Sequence, residues 1–209
     1  MTTDLTTVLA GARLLPVLTV PSTATAGPLA DALAAGGARC AEVTFRTPDA
    51  ERVVKTMAAH GGLTLGAGTV LTPEQAERAV AAGARFVVSP GYDEEVIAKC
   101  RELGVPVVPG IATATELMRA LKAGLDTVKL FPAEPLGGPR ALRALAAPFP
   151  GVRFVPTGGI DASRLPAYLA DRAVLAVGGS WMATAAHLER GDYPEIRRLT
   201  ADAVDRSTT

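Results

Sequence analysis

Lys129 is the residue of this chain best placed to do covalent chemistry. Of the four lysines, Lys55, Lys99 and Lys122 fall in Ala/Leu-rich segments of helical periodicity, where a solvated ammonium is ordinary. Lys129 instead stands inside Val128-Lys-Leu-Phe-Pro132, an apolar run that reads as a strand. A buried ammonium is costly, so the pKa should fall and the amine should become nucleophilic near neutral pH. Such a lysine can form a Schiff base with a carbonyl substrate. The plainer reading is a lysine that pairs with a carboxylate across the interior or snorkels to a rim.

Glu42 is the second charge in an apolar strand-like run, between Ala41 and Val43, and Arg46 follows four residues later. An even separation in a strand puts both side chains on one side. One reading is a structural ion pair between them. The other makes Glu42 a proton-transfer group beside the amine and Arg46 a clamp for a carboxylate. An amine with a neighbouring carboxylate is what imine chemistry needs. The protonated imine is an electron sink, and the carboxylate shuttles protons to carbinolamine, enamine and leaving hydroxyl.

Thr157-Gly158-Gly159 and Gly178-Gly179-Ser180 end two further strand-like runs. Glycine there lets backbone N–H groups approach an anion, and a following helix start favours negative charge. The alternative is that these glycines only make tight turns. Other candidates are weaker. His60 and His187 read as solvated or capping side chains, Cys40 and Cys100 as core, and Trp181 as packing at a helix start. Two distant histidines and no ligand-spaced acid cluster argue against a metal. Gly66-Ala-Gly68-Thr69 lacks the third glycine of a dinucleotide fingerprint.

The elements that must position these residues alternate regularly. Strands are expected over 14–20, 40–46, 63–68, 85–89, 105–109, 126–131, 152–157 and 173–178, with starts 20 to 26 residues apart. Helices lie between them. Thr72-Pro73-Glu74 and Thr47-Pro48-Asp49 each look like an N-cap followed by proline at the first helical position, and Thr113-Ala-Thr-Glu116 like a capping box. Gly36-Gly37, Gly61-Gly62, Gly83, Gly104 and Gly124 read as helix stops. Strands apolar on both faces indicate a parallel sheet covered by helices. Eight near-even repeats favour an α/β (β/α)8 TIM barrel over an open doubly wound sheet. An additional helix leads over 1–12 and another closes the chain over about 192–206. No linker or composition shift divides residues 1–209, so one domain is expected. In such a barrel the chemistry sits at the carboxyl ends of the strands, with phosphate commonly bound after strands 7 and 8.

Composition excludes several classes. Hydrophobic residues make up 48% and charged residues 20% of the 209, so extensive disorder is ruled out. Lys plus Arg equals Asp plus Glu at 21 each, leaving no basic footprint for nucleic acid or an anionic membrane. The longest stretch free of those four residues, Thr56 to Pro73, holds four Gly, four Thr, a His and a Pro, and reads as no membrane span. Two cysteines and a start without signal-peptide character fit a cytoplasmic protein.

Seven blocks, in order, resemble the class I 2-keto-3-deoxy-6-phosphogluconate (KDPG) aldolases, a family that includes 4-hydroxy-2-oxoglutarate aldolases. They are Glu42-Val-Thr-Phe-Arg46-Thr, Gly66-Ala-Gly-Thr-Val-Leu-Thr-Pro73, Val88-Ser-Pro-Gly91, Pro109-Gly-Ile-Ala-Thr113, Val128-Lys-Leu-Phe-Pro-Ala133, Pro156-Thr-Gly-Gly-Ile160 and Val177-Gly-Gly-Ser-Trp181. The resemblance implies a homotrimeric barrel and a metal-free, cofactor-free lyase acting on a phosphorylated 2-keto acid. It implies that Lys129 forms the Schiff base and Glu42 is the general acid/base. By the same resemblance Arg46 and Thr69 hold the pyruvyl carboxylate, Pro90 and Phe131 wall the pocket, and Gly158, Gly159, Gly179 and Ser180 cradle phosphate. Thr157 matches members that prefer the gluconate configuration. The first strand, Val17-Leu-Thr-Val-Pro21, lacks the arginine that some relatives place there. Two rivals are a different phosphate-binding barrel enzyme, epimerase or thiamine-phosphate-synthase-like, and a non-catalytic trimeric scaffold.

Overall fold

The computed structural model describes residues 5–208. Its elements, in chain order, are α1 (Leu5–Ala12), β1 (Leu14–Leu18), α2 (Ala26–Ala35), β2 (Cys40–Thr44), α3 (Ala50–His60), β3 (Thr64–Gly68), α4 (Pro73–Ala81), β4 (Phe86–Val88) and α5 (Glu94–Glu102). There follow β5 (Val107–Val108), β6 (Gly110–Ile111), α6 (Ala114–Lys122), β7 (Thr127–Leu130), α7 (Gly138–Ala146), β8 (Arg153–Phe154), α8 (Leu165–Leu169), β9 (Val177–Gly179), α9 (Ala185–Arg190) and α10 (Tyr193–Thr208). Every strand pair is parallel. One sheet runs β5-β4-β3-β2-β1-β9 and a second β6-β7-β8, together forming a curled parallel sheet clothed in helices.

Each of the eight expected strands overlaps an observed one, though every observed strand is shorter. The fifth is broken, because Pro109 offers no N–H to a ladder. β5 ends before it and β6 resumes after it, where the expectation stopped. The Pro109 carbonyl still accepts from the Lys129 N–H at 2.9 Å. The expected leading helix is seen from Leu5, and the part over residues 1–4 lies outside the described residues.

Local chemistry explains the helix ends. Thr72 accepts from the Gln75 N–H at the start of α4, with Pro73 in its first turn. Thr113 and Glu116 form the expected capping box on α6, whose Leu117 and Ala120 face the core. Gly37, Gly61, Gly62, Gly83, Gly104 and Gly124 all adopt positive φ at the expected stops. Thr47 is a correction: α3 begins only at Ala50, Asp49 occupies its N-cap, and the Thr47 hydroxyl donates to the Val20 carbonyl instead.

The curled sheet holds an apolar cluster on its inner side. Leu15, Cys40, Phe86, Val88, Val108 and Val155 pack together, and Leu5 and Leu9 of α1 join them. Phe86 is completely buried, worth about 1.5–3 kcal/mol in apolar burial. It lies under Gly66, where a Cβ would come 2.1 Å from its ring. That glycine makes room for an aromatic ring in a core otherwise built from small and branched side chains.

Candidate active site

Lys129 and Glu42 meet inside the fold. Lys129 is carried by β7, in register with Gly110 of β6. Glu42 is carried by β2, between Val17 of β1 and Gly66 of β3. The Lys129 Nζ lies 3.2 Å from Glu42 Oε1. The residues are 5% and 0% exposed, so this is an ion pair withdrawn from water. The other oxygen, Oε2, is also buried and has no hydrogen-bond partner among the described residues. It is therefore free to bond a water or a substrate hydroxyl. The ammonium also sits 5.3 Å from the centre of the Phe131 ring, within cation–π range.

The pair borders a cavity of about 190 Å³. Arg46, Thr69, Phe131, Thr157, Gly158, Gly159, Gly179 and Ser180 line it too, so the structure gathers all the expected site residues except Pro90. Pro90 lies outside the lining, where its carbonyl packs against Gly110. Arg46 is a second correction. β2 ends at Thr44 and Arg46 stands in the turn beyond it, exposed. It forms no ion pair with Glu42, nor with any other carboxylate among the described residues. A guanidinium so placed is available to a carboxylate in the cavity.

Thr69 has φ of 56°, one of two non-glycine residues in the left-handed region among those described. That costs about 1–2 kcal/mol and turns the chain directly after β3, at the cavity wall. Gly158 and Gly159 have φ of 103° and 80°, a conformation that suits glycine. The N–H groups of Gly159, Ile160 and Ser180 have no main-chain acceptor among the described residues. Three unengaged donors around one cavity suit an anion. Gly178 and Gly179 have packing roles as well: a Cβ on them would fall 2.1 Å from Thr157 Oγ1 and 1.7 Å from the Trp181 ring.

Val17, Thr19 and Ile160 also line the cavity, and sequence reasoning did not single them out. The Thr19 hydroxyl lies 2.9 Å from that of Thr44. The first-strand position was noted only for a missing arginine. Cys40 is buried two residues before Glu42, and its thiol is pushed up to about 12 by burial and by the Glu42 charge. Cys100 is buried and pushed up to about 11 by burial. His187 closes a cap with Thr184 at the start of α9. Among the described residues no group of three or more His, Cys, Asp or Glu is arranged around a common point. A larger groove, about 700 Å³, runs between α2 and α10 past Ala32 and Tyr193, and holds none of the residues above.

The model of the KDPG and KHG aldolase family matches residues 5–199. The chain belongs to this aldolase family. A 2-dehydro-3-deoxy-phosphogluconate aldolase of Treponema pallidum is 52% identical over 189 residues, 90% of each chain. Among solved family members, the KDPG aldolase of Zymomonas mobilis ZM4 with 3-phosphoglycerate superposes with a TM-score of 0.92 at 40% identity, over 97% of this chain and 96% of that one. The KDPG aldolase of Legionella pneumophila, with pyruvate captured as a covalent carbinolamine, gives 0.93 at 37% identity, over 97% and 99%. Among the described residues no helix is long and apolar enough to cross a membrane.

Proposed function

We propose that this chain is a Schiff-base aldolase that cleaves 2-keto-3-deoxy-6-phosphogluconate to pyruvate and glyceraldehyde 3-phosphate. By the same chemistry it cleaves 4-hydroxy-2-oxoglutarate to pyruvate and glyoxylate. The 3.2 Å contact between Lys129 and Glu42 at the wall of a cavity lined by Arg46 and glycine main chain carries the reading.

Lys129, relieved of a proton by Glu42 across that contact, attacks the C2 carbonyl carbon. Glu42 then delivers protons to the carbinolamine oxygen, which leaves as water and gives the iminium. The C3–C4 bond breaks and its electrons pass into the iminium, forming an enamine. Glu42 accepts the proton of the C4 hydroxyl as that carbon becomes an aldehyde. The aldehyde leaves, C3 is protonated, and water hydrolyses the imine to free pyruvate and Lys129. Arg46 and Thr69 hold the pyruvyl carboxylate, Phe131 borders the substrate, and Thr157 stands beside its hydroxyls. The N–H groups around Gly158, Gly159, Gly179 and Ser180 take the phosphate, whose remote binding orients the reacting bond.

An epimerase or transferase on the same scaffold needs no amine against a buried carboxylate. A passive scaffold needs no unpaired Arg46 at a cavity. The reading includes one domain and a closed eight-stranded (β/α)8 barrel. Closure is supported by the parallel bridges Phe154–Val174 and Thr157–Gly178, which join β8 to the segment before β9 and the segment after β8 to β9. It includes a homotrimer, supported by the outward apolar side chains Leu71, Met118 and Leu121. Sedimentation at three chain masses tests that. Two free thiols, Cys40 and Cys100, go with a cytoplasmic setting. Borohydride added with pyruvate tests the chemistry: one reduced pyruvyl group should appear on Lys129. An unlabelled lysine in a folded protein would overturn the proposal.

A further inference from the structure

Glu134 lies outside the cavity lining yet touches the loop that forms its anion-binding side. It follows Phe131-Pro132-Ala133 after β7. The Ala133 N–H donates to the Thr157 carbonyl at 2.8 Å, and the Glu134 N–H donates to the Gly158 carbonyl at 3.0 Å. The side chain then lies along the loop, so that a Cβ on Gly159 would come 2.8 Å from the Glu134 Cβ. Its carboxylate is tied on both oxygens. Oε1 accepts from the Tyr168 hydroxyl at 2.7 Å, and Oε2 takes the Arg164 guanidinium. Tyr168 is fully buried in α8. Arg164 is the N-cap residue of α8 and also lies 3.8 Å from Asp161. One carboxylate thus joins the segment after β7 to the helix that follows the glycine loop.

We infer that Glu134 is a positioning residue that aims the Gly159 N–H into the cavity. The inference rests on the reading of that loop as the phosphate cradle. The Gly158 carbonyl and the Gly159 N–H belong to one planar trans peptide and point in opposite directions. Holding the carbonyl toward Glu134 turns the N–H away from Glu134, toward the side that Gly158 and Gly159 line. Two consecutive positive-φ glycines have little intrinsic preference for one orientation of that peptide, so an external tether is needed to fix it. A bare carboxylate behind an anion site would repel the ligand. Here the Arg164 charge opposes it, and the tether carries little electrostatic penalty.

Three variants of the full chain test this: Glu134→Ala, Glu134→Gln and Tyr168→Phe. Glu134→Ala should raise KM for the 6-phosphorylated keto acid about tenfold, and the inhibition constant of inorganic phosphate equally, because a donor misplaced by a fraction of an ångström loses most of its bond. Pyruvate trapping on Lys129 by borohydride should proceed at the wild-type rate. Glu134→Gln keeps an acceptor for Tyr168 and should recover most of the loss. Tyr168→Phe should shift KM the same way by a smaller factor, and it serves if Glu134→Ala does not fold. An unchanged KM, or pyruvate trapping that falls in parallel, would overturn the inference while leaving the cradle intact. Wild-type enzyme indifferent to the 6-phosphate would overturn the cradle and this inference together.

Discussion

A Cβ atom on Gly68 would fall 2.8 Å from the Glu42 carboxylate oxygen that contacts Lys129. The carboxylate occupies space that only a glycine concedes. Gly68 is not in the left-handed region, so a methyl group there acts on Glu42 rather than on the backbone. Gly68→Ala should therefore lower kcat about 10- to 100-fold through a displaced carboxylate. KM should change little and circular dichroism should stay as in wild type. A kcat within twofold of wild type would show that the position of Glu42 is not critical.

Glu42→Gln keeps the size of the side chain and removes its capacity to move protons. Loss of a positioned acid/base group costs about 10²–10⁴ in rate, and a loss of that order is expected in coupled pyruvate-release assays. Trapping of pyruvate on Lys129 should persist at a reduced rate. Normal turnover by the variant would remove Glu42 from the proton pathway.

The same pair matters for stability. Lys129→Ala leaves a buried carboxylate without its cation, and breaking a buried pair from one side costs about 3–5 kcal/mol. The double variant Glu42→Gln, Lys129→Met removes both charges and roughly keeps the volume, so it should be more stable than Lys129→Ala alone. Urea unfolding of the set measures the coupling. A double variant less stable than the single one would contradict the picture of two mutually compensating charges.

Both thiols should be silent in the folded protein. The thiolate is the reactive form, and Cys40 and Cys100 are raised to about 12 and about 11. At pH 8 a thiol-specific disulfide reagent should label neither residue until urea is added, then both. The folded state keeps both protons beyond the unfolded thiol value of about 8.5. Their contribution is fully present below that pH and is lost as pH climbs through about 11 and about 12. Rapid labelling of native protein at pH 8 would show these thiols to be accessible.

What was legible in the sequence was what local chemistry decides. Thr72 and Thr113 cap helices because a hydroxyl one turn ahead of a free N–H needs no tertiary help. The Gly83 and Gly124 stops are equally local. Lys129 and Glu42 were visible as charges in apolar runs. Their contact, across 87 residues of chain, depends on how β2 and β7 curl round a common centre. That lies beyond periodicity; the pairing follows from what imine chemistry needs and from the family resemblance.

The misreadings have the same origin. Thr47 carries a cap-like pattern, but the Val20 carbonyl from a neighbouring strand end takes its hydroxyl. The apolar neighbours of Arg46 read as strand, whereas the ladder stops two residues earlier. Thr19 and Val17 reach the cavity because β1 lies beside both β2 and β9, a neighbour relation that no single segment encodes.

Gly158, Gly159, Gly178 and Gly179 make one side of the cavity almost entirely main chain. Main-chain atoms are the same whatever a codon specifies, so that side is nearly closed to gradual change. Three of the four would also collide with Glu134, Thr157 or Trp181 if enlarged. Divergence in the aldehyde accepted is thereby channelled to the side chains beside them, Val17, Thr19 and Thr157. A library intended to retarget this enzyme should randomise those three codons and leave the glycines alone.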